Sequence, residues 1–180
     1  MMFQMSSPES RGADPIRDVD TGTFRAGMRE LAGGVAVVTV GKHSDITGFT
    51  ATSVTSLSAH PPRLMVCVAQ TSASWNLIQR YPHFVVNLLR DDERSLANRF
   101  SGKDGLEGVD RFAGAGWTTM RTDTPVLENG LAALDCAVEE MLPRYDHAII
   151  IGRVCAVRVR PGAFPLIYWQ GDYRRLEQAR

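Results

Sequence analysis

Apolar positions change rhythm along the chain, and each change marks an element. Phe24, Met28 and Leu31 recur at helical spacing behind Thr21 and Thr23, either of which can cap a helix that ends at Gly33-Gly34. The run GVAVVTVG follows at once as a first strand, and the turn at Lys42 to Asp45 leads into a long polar but uncharged stretch. Pro61-Pro62 separates that stretch from a second apolar run, Leu64 to Ala69. A short helix capped by Ser72 or Ser74 carries Trp75, Leu77 and Ile78 and must stop near Pro82. Phe84 to Leu89 reads as a strand; Asp91 and Asp92 then open a helix that buries Leu96 and Phe100 and closes at Gly102.

Lys103 to Gly116 is rich in glycine and charge, which predicts a surface loop with one helical turn. Strands are expected at Leu131 to Met141, at His147 to Val159, and in a last pair around Leu166 to Trp169 and Tyr173. Many short strands, few helices and no regular βαβ alternation favour a mainly β, antiparallel barrel over a doubly wound sheet. Residues 1–20 are polar and aperiodic and read as a disordered tail, leaving one domain over residues 21–180.

The uncharged stretch is the unusual part of the pattern. ITGFTATSVTSLSAHPP, from Ile46 to Pro62, holds no Asp, Glu, Lys or Arg but seven hydroxyls, at Thr47, Thr50, Thr52, Ser53, Thr55, Ser56 and Ser58. A core strand would be filled with Val, Ile and Leu, and a solvated one would carry Lys or Glu. Small hydroxyls offer donors and acceptors without bulk or fixed charge, which suits a planar polar ring with an anionic tail. The bland alternative is a barrel strand whose Ser and Thr satisfy only neighbouring backbone.

Composition narrows the partners. Twenty basic and twenty acidic residues cancel, so no basic field exists to draw in nucleic acid or an anionic membrane surface. No apolar stretch reaches the ~20 residues of a membrane span, and the chain's start lacks a secretory pattern, so a cytoplasmic protein is expected. Cys67, Cys136 and Cys155 are odd in number, far apart and in apolar surroundings, which predicts buried reduced thiols and no metal site. There is no GxSxG, HExxH, paired CxxC or GxxxxGK[ST], and Gly114-Ala115-Gly116 lacks a third glycine. A prepared cradle without an acid, base or nucleophile suits chemistry carried by a bound cofactor.

Eight segments in order strengthen that reading: TFRAGMRELAGGVAVVTV, GFTATSVTSLSAHPPRLMVCV, SASWNLIQRYPHFVVNLL, LANRFSG, DRFAGAGW, PVLENGLAALDCAVEE, DHAIIIGRV and PLIYWQGDYRRLE. Over about residues 22 to 177 the chain resembles the small flavin reductases with an FMN-binding split barrel, the reductase partners of two-component flavin-dependent monooxygenases. The resemblance implies an antiparallel split β-barrel of Greek-key type with a few flanking helices. It implies hydride transfer from NADH or NADPH to FMN or FAD, delivery of reduced flavin to a separate oxygenase, and a homodimer that completes the pocket.

By the same resemblance Gly48, Phe49, Thr50, Ala51, Thr52 and Ser53 line the flavin ring, while Ser56, Leu57 and Ser58 reach its ribityl chain. Ala69, Gln70, Ser72, Ser74 and Trp75 border the phosphate, where relatives often carry a basic residue; Arg99, beside Phe100 in LANRFSG, is the nearest charge that could compensate. His147, after Asp146, and Tyr168 and Tyr173 of the terminal strands are assigned to the nicotinamide. Hydride transfer then needs positioning, with no catalytic side chain. Two other readings stay open: a flavoprotein that keeps FMN tightly bound for electron transfer, and a flavin- or haem-binding module without turnover.

Overall fold

A computed structural model describes residues 17–176, so most of the expected N-terminal tail lies outside the described residues. In chain order the elements are α1 (Thr21–Arg29), β1 (Gly33–Gly34), β2 (Ala36–Lys42), β3 (Asp45–Ala51), β4 (Thr55–Ala59), β5 (Pro62–Ala69), α2 (Ala73–Arg80), β6 (His83–Leu88) and α3 (Arg94–Phe100). After a 3-10 turn at Gly108–Phe112 come β7 (Trp117–Thr118), β8 (Val126–Leu127), β9 (Ala132–Arg144), β10 (His147–Val159), β11 (Ile167–Trp169) and β12 (Asp172–Arg174). Among the described residues no helix is long and apolar enough to cross a membrane.

Seven strands form one antiparallel sheet in the order β3-β2-β6-β9-β10-β5-β4, and a smaller sheet pairs β1, β11 and β12. The two edges of the large sheet, β3 and β4, are consecutive in the chain and separated only by residues 52–54. Laid flat, seven strands would set those edges about 29 Å apart, at about 4.8 Å per step. The link from Ala51 to Thr55 spans at most about 15 Å, at about 3.8 Å per peptide. The sheet therefore curls until its edges approach, although no ladder joins β3 to β4.

Ala36, Val38 and Val40 of β2 point into the curl and pack on Phe84 and Val86 of β6, Val66 and Val68 of β5, and Ile150 of β10. The alternate residue Val37 faces the other way, into a second cluster with Leu96 and Phe100 of α3, Phe112 and Leu166. Burial on both faces explains why GVAVVTVG shows no polar alternation. Gly152 serves the first cluster: a Cβ there would meet the Phe84 ring at 2.5 Å.

Several boundaries differ from the sequence reading. The N-cap of α1 is Asp20, whose carboxylate accepts from the N–H groups of Gly22 and Thr23. A carboxylate one residue earlier outcompetes Thr21 and Thr23, and the Thr23 hydroxyl also donates to it at 2.6 Å. Among the described residues the apolar face of α1 is left largely uncovered: Phe24, Met28 and Leu31 are 57%, 48% and 66% exposed. Asp91 and Asp92 precede α3 rather than opening it, because Asp92 pairs with Arg90 and the Glu93 carboxylate accepts from the Arg90 N–H at 2.7 Å. Burial pushes the Glu93 carboxyl up from its ordinary value. Ser72, not Ser74, caps α2. Only Cys136 is fully buried; Cys67 and Cys155 are half-exposed, and all three are free thiols.

Candidate active site

The uncharged stretch splits into β3, a three-residue link and β4, and so forms both lips of the gap between the sheet edges. Each lip pairs on one side only, leaving backbone N–H and C=O groups of β3 and β4 without ladder partners. On β3, Gly48 is required by close packing: a Cβ would sit 2.7 Å from the Val38 carbonyl and 2.9 Å from the Phe100 ring. Thr47, Gly48 and Ala51 are buried, Phe49 and Thr50 half-buried, and Thr52, Thr55, Ser56 and Leu57 exposed.

Not every hydroxyl of the stretch is free. Thr50 Oγ1 donates to the Ala97 carbonyl of α3 at 2.6 Å, and Ser53 Oγ accepts from the Cys67 N–H of β5 at 3.2 Å. The bland and the functional readings therefore divide the stretch, with Thr52, Thr55 and Ser56 left facing solvent.

Two clefts meet at the link. One, of about 190 Å³, lies between Thr50, Thr52, Ser101, Lys103, Tyr168 and Tyr173. The other, of about 820 Å³, runs from Thr52, Val54 and Tyr168 past Gly33-Gly34 to Arg25 and Arg29 of α1. Thr52 and Tyr168 belong to both, and among the described residues no carboxylate, histidine or cysteine lines either. Tyr168 and Tyr173 meet edge to face at 5.3 Å. Arg94 and Lys103 lie 5.4 and 5.8 Å from the Tyr173 ring centre, and Asp172 holds Arg94 at 2.8 Å. Burial raises the Tyr173 hydroxyl pKa, so the ring stays neutral at physiological pH.

At the far end of β5, Ala69 pairs with His147, the first residue of β10. The His147 ring is half-exposed, and its Nδ1 lies 2.8 Å from Asp146 Oδ1. That hydrogen bond holds the Asp146 carboxyl below its ordinary value. Gln70 turns its amide to this hairpin tip, and Ser72 spends its hydroxyl on the Ala69 carbonyl and the Trp75 N–H. Ser74 is buried, and Trp75 packs against the core from the helix face.

The structure thus brings Thr50, Ala51, Thr52, Tyr168 and Tyr173 around one cleft and sets Gln70 and His147 together at the hairpin tip. It does not bring Arg99 to either place. The Arg99 guanidinium donates to the Ala113 carbonyl and lines a separate cleft with Asp92 and Gly114. Phe100 is a core residue stacked edge to face on Phe112 at 5.1 Å. Sequence reasoning missed Lys103, the residue immediately after LANRFSG, whose only signal was a lone cation after a helix-ending glycine. It also passed over Arg111 of DRFAGAGW, which donates to the Gly48 carbonyl at 2.8 Å and ties the 3-10 turn to the cradle strand.

A family model described as flavin reductase like domain matches residues 28–177. The chain belongs to this flavin reductase-like family. It is 32% identical over 173 residues to the reductase subunit HsaB of a flavin-dependent monooxygenase from Rhodococcus jostii (strain RHA1), covering 96% of this chain and 87% of that protein. To the FMN reductase (NADH) RutF 2 of Rhizobium rhizogenes it is 33% identical over 164 residues, covering 91% and 94%. The solved structure of Streptomyces globisporus C-1027 NADH:FAD oxidoreductase SgcE6, in complex with NAD and FAD fragments, matches with a TM-score of 0.81 at 27% identity, covering 92% of this chain and 98% of that one. The span matched by the family model, residues 28–177, contains the cradle strands β3 and β4 and the β9–β10 hairpin tip.

Proposed function

We propose that the chain is an NAD(P)H:flavin oxidoreductase that takes FMN or FAD and a reduced nicotinamide dinucleotide at the gap between β3 and β4, then releases reduced flavin to a separate monooxygenase component. The observation that carries this is the meeting of two unpaired sheet edges at Thr52, flanked by clefts that share Thr52 and Tyr168 and that, among the described residues, contain no acid, thiol or imidazole. Unpaired backbone donors and acceptors with small hydroxyls fit a flavin ring, and Lys103, Arg25 and Arg29 supply positive charge for phosphates. When bound, the flavin accepts the hydride from the nicotinamide. The chain's own part is to hold both rings in contact and keep water out, with Tyr168 and Tyr173 walling one side and His147 at the far end; positioning of this kind supplies rate without a catalytic side chain.

The curled sheet is read as an antiparallel split barrel, because a three-residue link cannot connect the ends of a flat one. A second copy completes the assembly in this proposal. Two apolar surfaces support it: Phe24, Met28 and Leu31 on α1, and the half-exposed cross-strand pairs Met65 with Ile151 and Cys67 with Ile149 on β5 and β10.

Stopped-flow mixing of the purified chain with NADH, with and without added FMN or FAD, tests the function. NADH oxidation that depends on added flavin is expected. No flavin-dependent oxidation would sink the proposal, while turnover sustained by flavin retained through purification would favour the tightly bound electron carrier.

A further inference from the structure

Gln70 directly follows β5, and its side chain is committed to the β9–β10 turn. Its Nε2 donates to the carbonyls of Tyr145 and His147, each at 2.9 Å, and its backbone N–H donates to the Asp146 carbonyl at 3.0 Å. A primary amide has two N–H groups, so both are used, and the remaining Oε1 is an acceptor that has nothing to offer a phosphate. One residue thus binds three successive residues of the β9–β10 turn.

That turn needs an outside hold. Tyr145 sits at φ 55° with its side chain 100% exposed, and the Asp146 side chain is 87% exposed. No side-chain packing fixes either residue, and a left-handed tyrosine is unfavourable by itself. Immediately after them comes His147, bonded to Asp146.

We propose that Gln70 is a positioning residue: through the Tyr145 and His147 carbonyls it fixes the hairpin tip so that the Asp146–His147 pair presents its imidazole to the nicotinamide dinucleotide. This rests on the reading of His147 as a nicotinamide contact. In a chain without Gln70's two donors, the tip samples several conformations and His147 meets the dinucleotide in only a fraction of them, which weakens apparent affinity by that fraction.

Steady-state kinetics of the full chain with NADH and FMN test this, using Gln70→Met, His147→Ala and the double variant. Gln70→Met keeps the side-chain length and removes both donors. Loss of two neutral hydrogen bonds to a surface turn is expected to raise the KM for NADH roughly 3- to 10-fold, with the KM for FMN within about twofold of the parent. In the His147→Ala background the same substitution is expected to add nothing, because a residue that acts through another shows full coupling to it. If Gln70→Met does not fold, Gln70→Asn, whose amide is one methylene short, gives the same comparisons.

An NADH KM that responds to His147→Ala but not to Gln70→Met overturns the positioning role and leaves the His147 assignment standing. Additive effects in the double variant place Gln70 on the dinucleotide itself, and a raised FMN KM makes it a flavin ligand; either overturns the proposal. An NADH KM unmoved by His147→Ala removes His147 from the site and the role of Gln70 with it.

Discussion

Thr50 and Ala97 are joined by a 2.6 Å hydrogen bond from hydroxyl to carbonyl, which fastens the cradle strand β3 to the inner face of α3. The bond assigns a structural task to a hydroxyl that the sequence offered as a ligand contact. Thr50→Val keeps the shape and leaves the Ala97 carbonyl with only the Ser101 N–H, at 3.1 Å. The expected loss is about 1 kcal/mol in urea denaturation, and Thr50→Ser should recover most of it. Flavin affinity should stay within about twofold in Thr50→Val, since one neutral hydroxyl committed elsewhere contributes little. Thr50→Leu adds bulk beside the 190 Å³ cleft and should weaken it. A folded Thr50→Leu variant with parental flavin affinity would move the ring away from this cleft.

Asp135 works in the same structural sense, farther across the same face of the sheet. It is fully buried on β9, and its carboxylate accepts from the N–H groups of Arg121 and Thr122 at 2.7 and 2.9 Å and from the Thr122 hydroxyl at 2.8 Å. The loop between β7 and β8 is held there. Asp135→Ala strands two backbone donors and is expected to cost about 3 kcal/mol, with Asp135→Asn in between because it keeps shape but loses charge. A loss under about 1 kcal/mol for Asp135→Ala would show that water replaces the carboxylate without penalty.

Legibility in the sequence followed how local the cause was. β2, β6 and β10 were readable because their apolar runs exceed anything a loop tolerates, and the cradle because an uncharged, hydroxyl-rich stretch is rare. The α1 cap is Asp20 and neither Thr21 nor Thr23, because three capping residues stand within Asp20 to Thr23 and only geometry selects among them. What α1 covers could not be read either, because amphipathic spacing says that a face is apolar and not what it meets. Arg99 and Lys103 could not be sorted by type: both are cations flanking the C-terminus of α3, and the direction of each is set by tertiary packing around Gly114 and Tyr173. Gln70's role depends on a turn 75 residues away in the chain, which no local pattern carries.

The three cysteines should separate by accessibility and by pH. Burial, with the nearby Asp135 charge, pushes the Cys136 thiol up from 9.0 to about 12. Folding therefore favours the protonated thiol. That contribution is whole below the unfolded value near 9 and is lost as pH rises toward about 12, so the folded state weakens across this alkaline window. Cys136→Ser or Cys136→Ala should flatten that part of the stability profile while creating a polar mismatch or a small cavity. In the native protein at pH 8, iodoacetamide should label Cys67 and Cys155, which are half-exposed, and leave Cys136 intact until denaturant is added. Rapid native labelling of Cys136 would contradict its burial.

Lys103 and Arg99 allow the phosphate end of the site to be located by subtraction. Lys103 is exposed and lines the cleft with Thr50, Thr52 and Ser101, whereas Arg99 donates to the Ala113 carbonyl and shares its cleft with the carboxylates of Asp92 and Glu93. An anion entering the second cleft meets two like charges; one entering the first meets none among the lining residues. Lys103→Ala should therefore raise the Kd for FMN about 3- to 10-fold at low salt, and by much less in about 1 M KCl, where the Debye length is about 3 Å. Arg99→Ala should leave that Kd unchanged at either salt concentration and instead lower stability, because the Ala113 carbonyl loses its donor. Fluorescence titration of FMN against the two variants at both salt concentrations, with urea denaturation of each, reads these quantities. A Kd that follows Arg99 and ignores Lys103 would place the phosphate beside Gly114 and reverse the assignment of the two clefts.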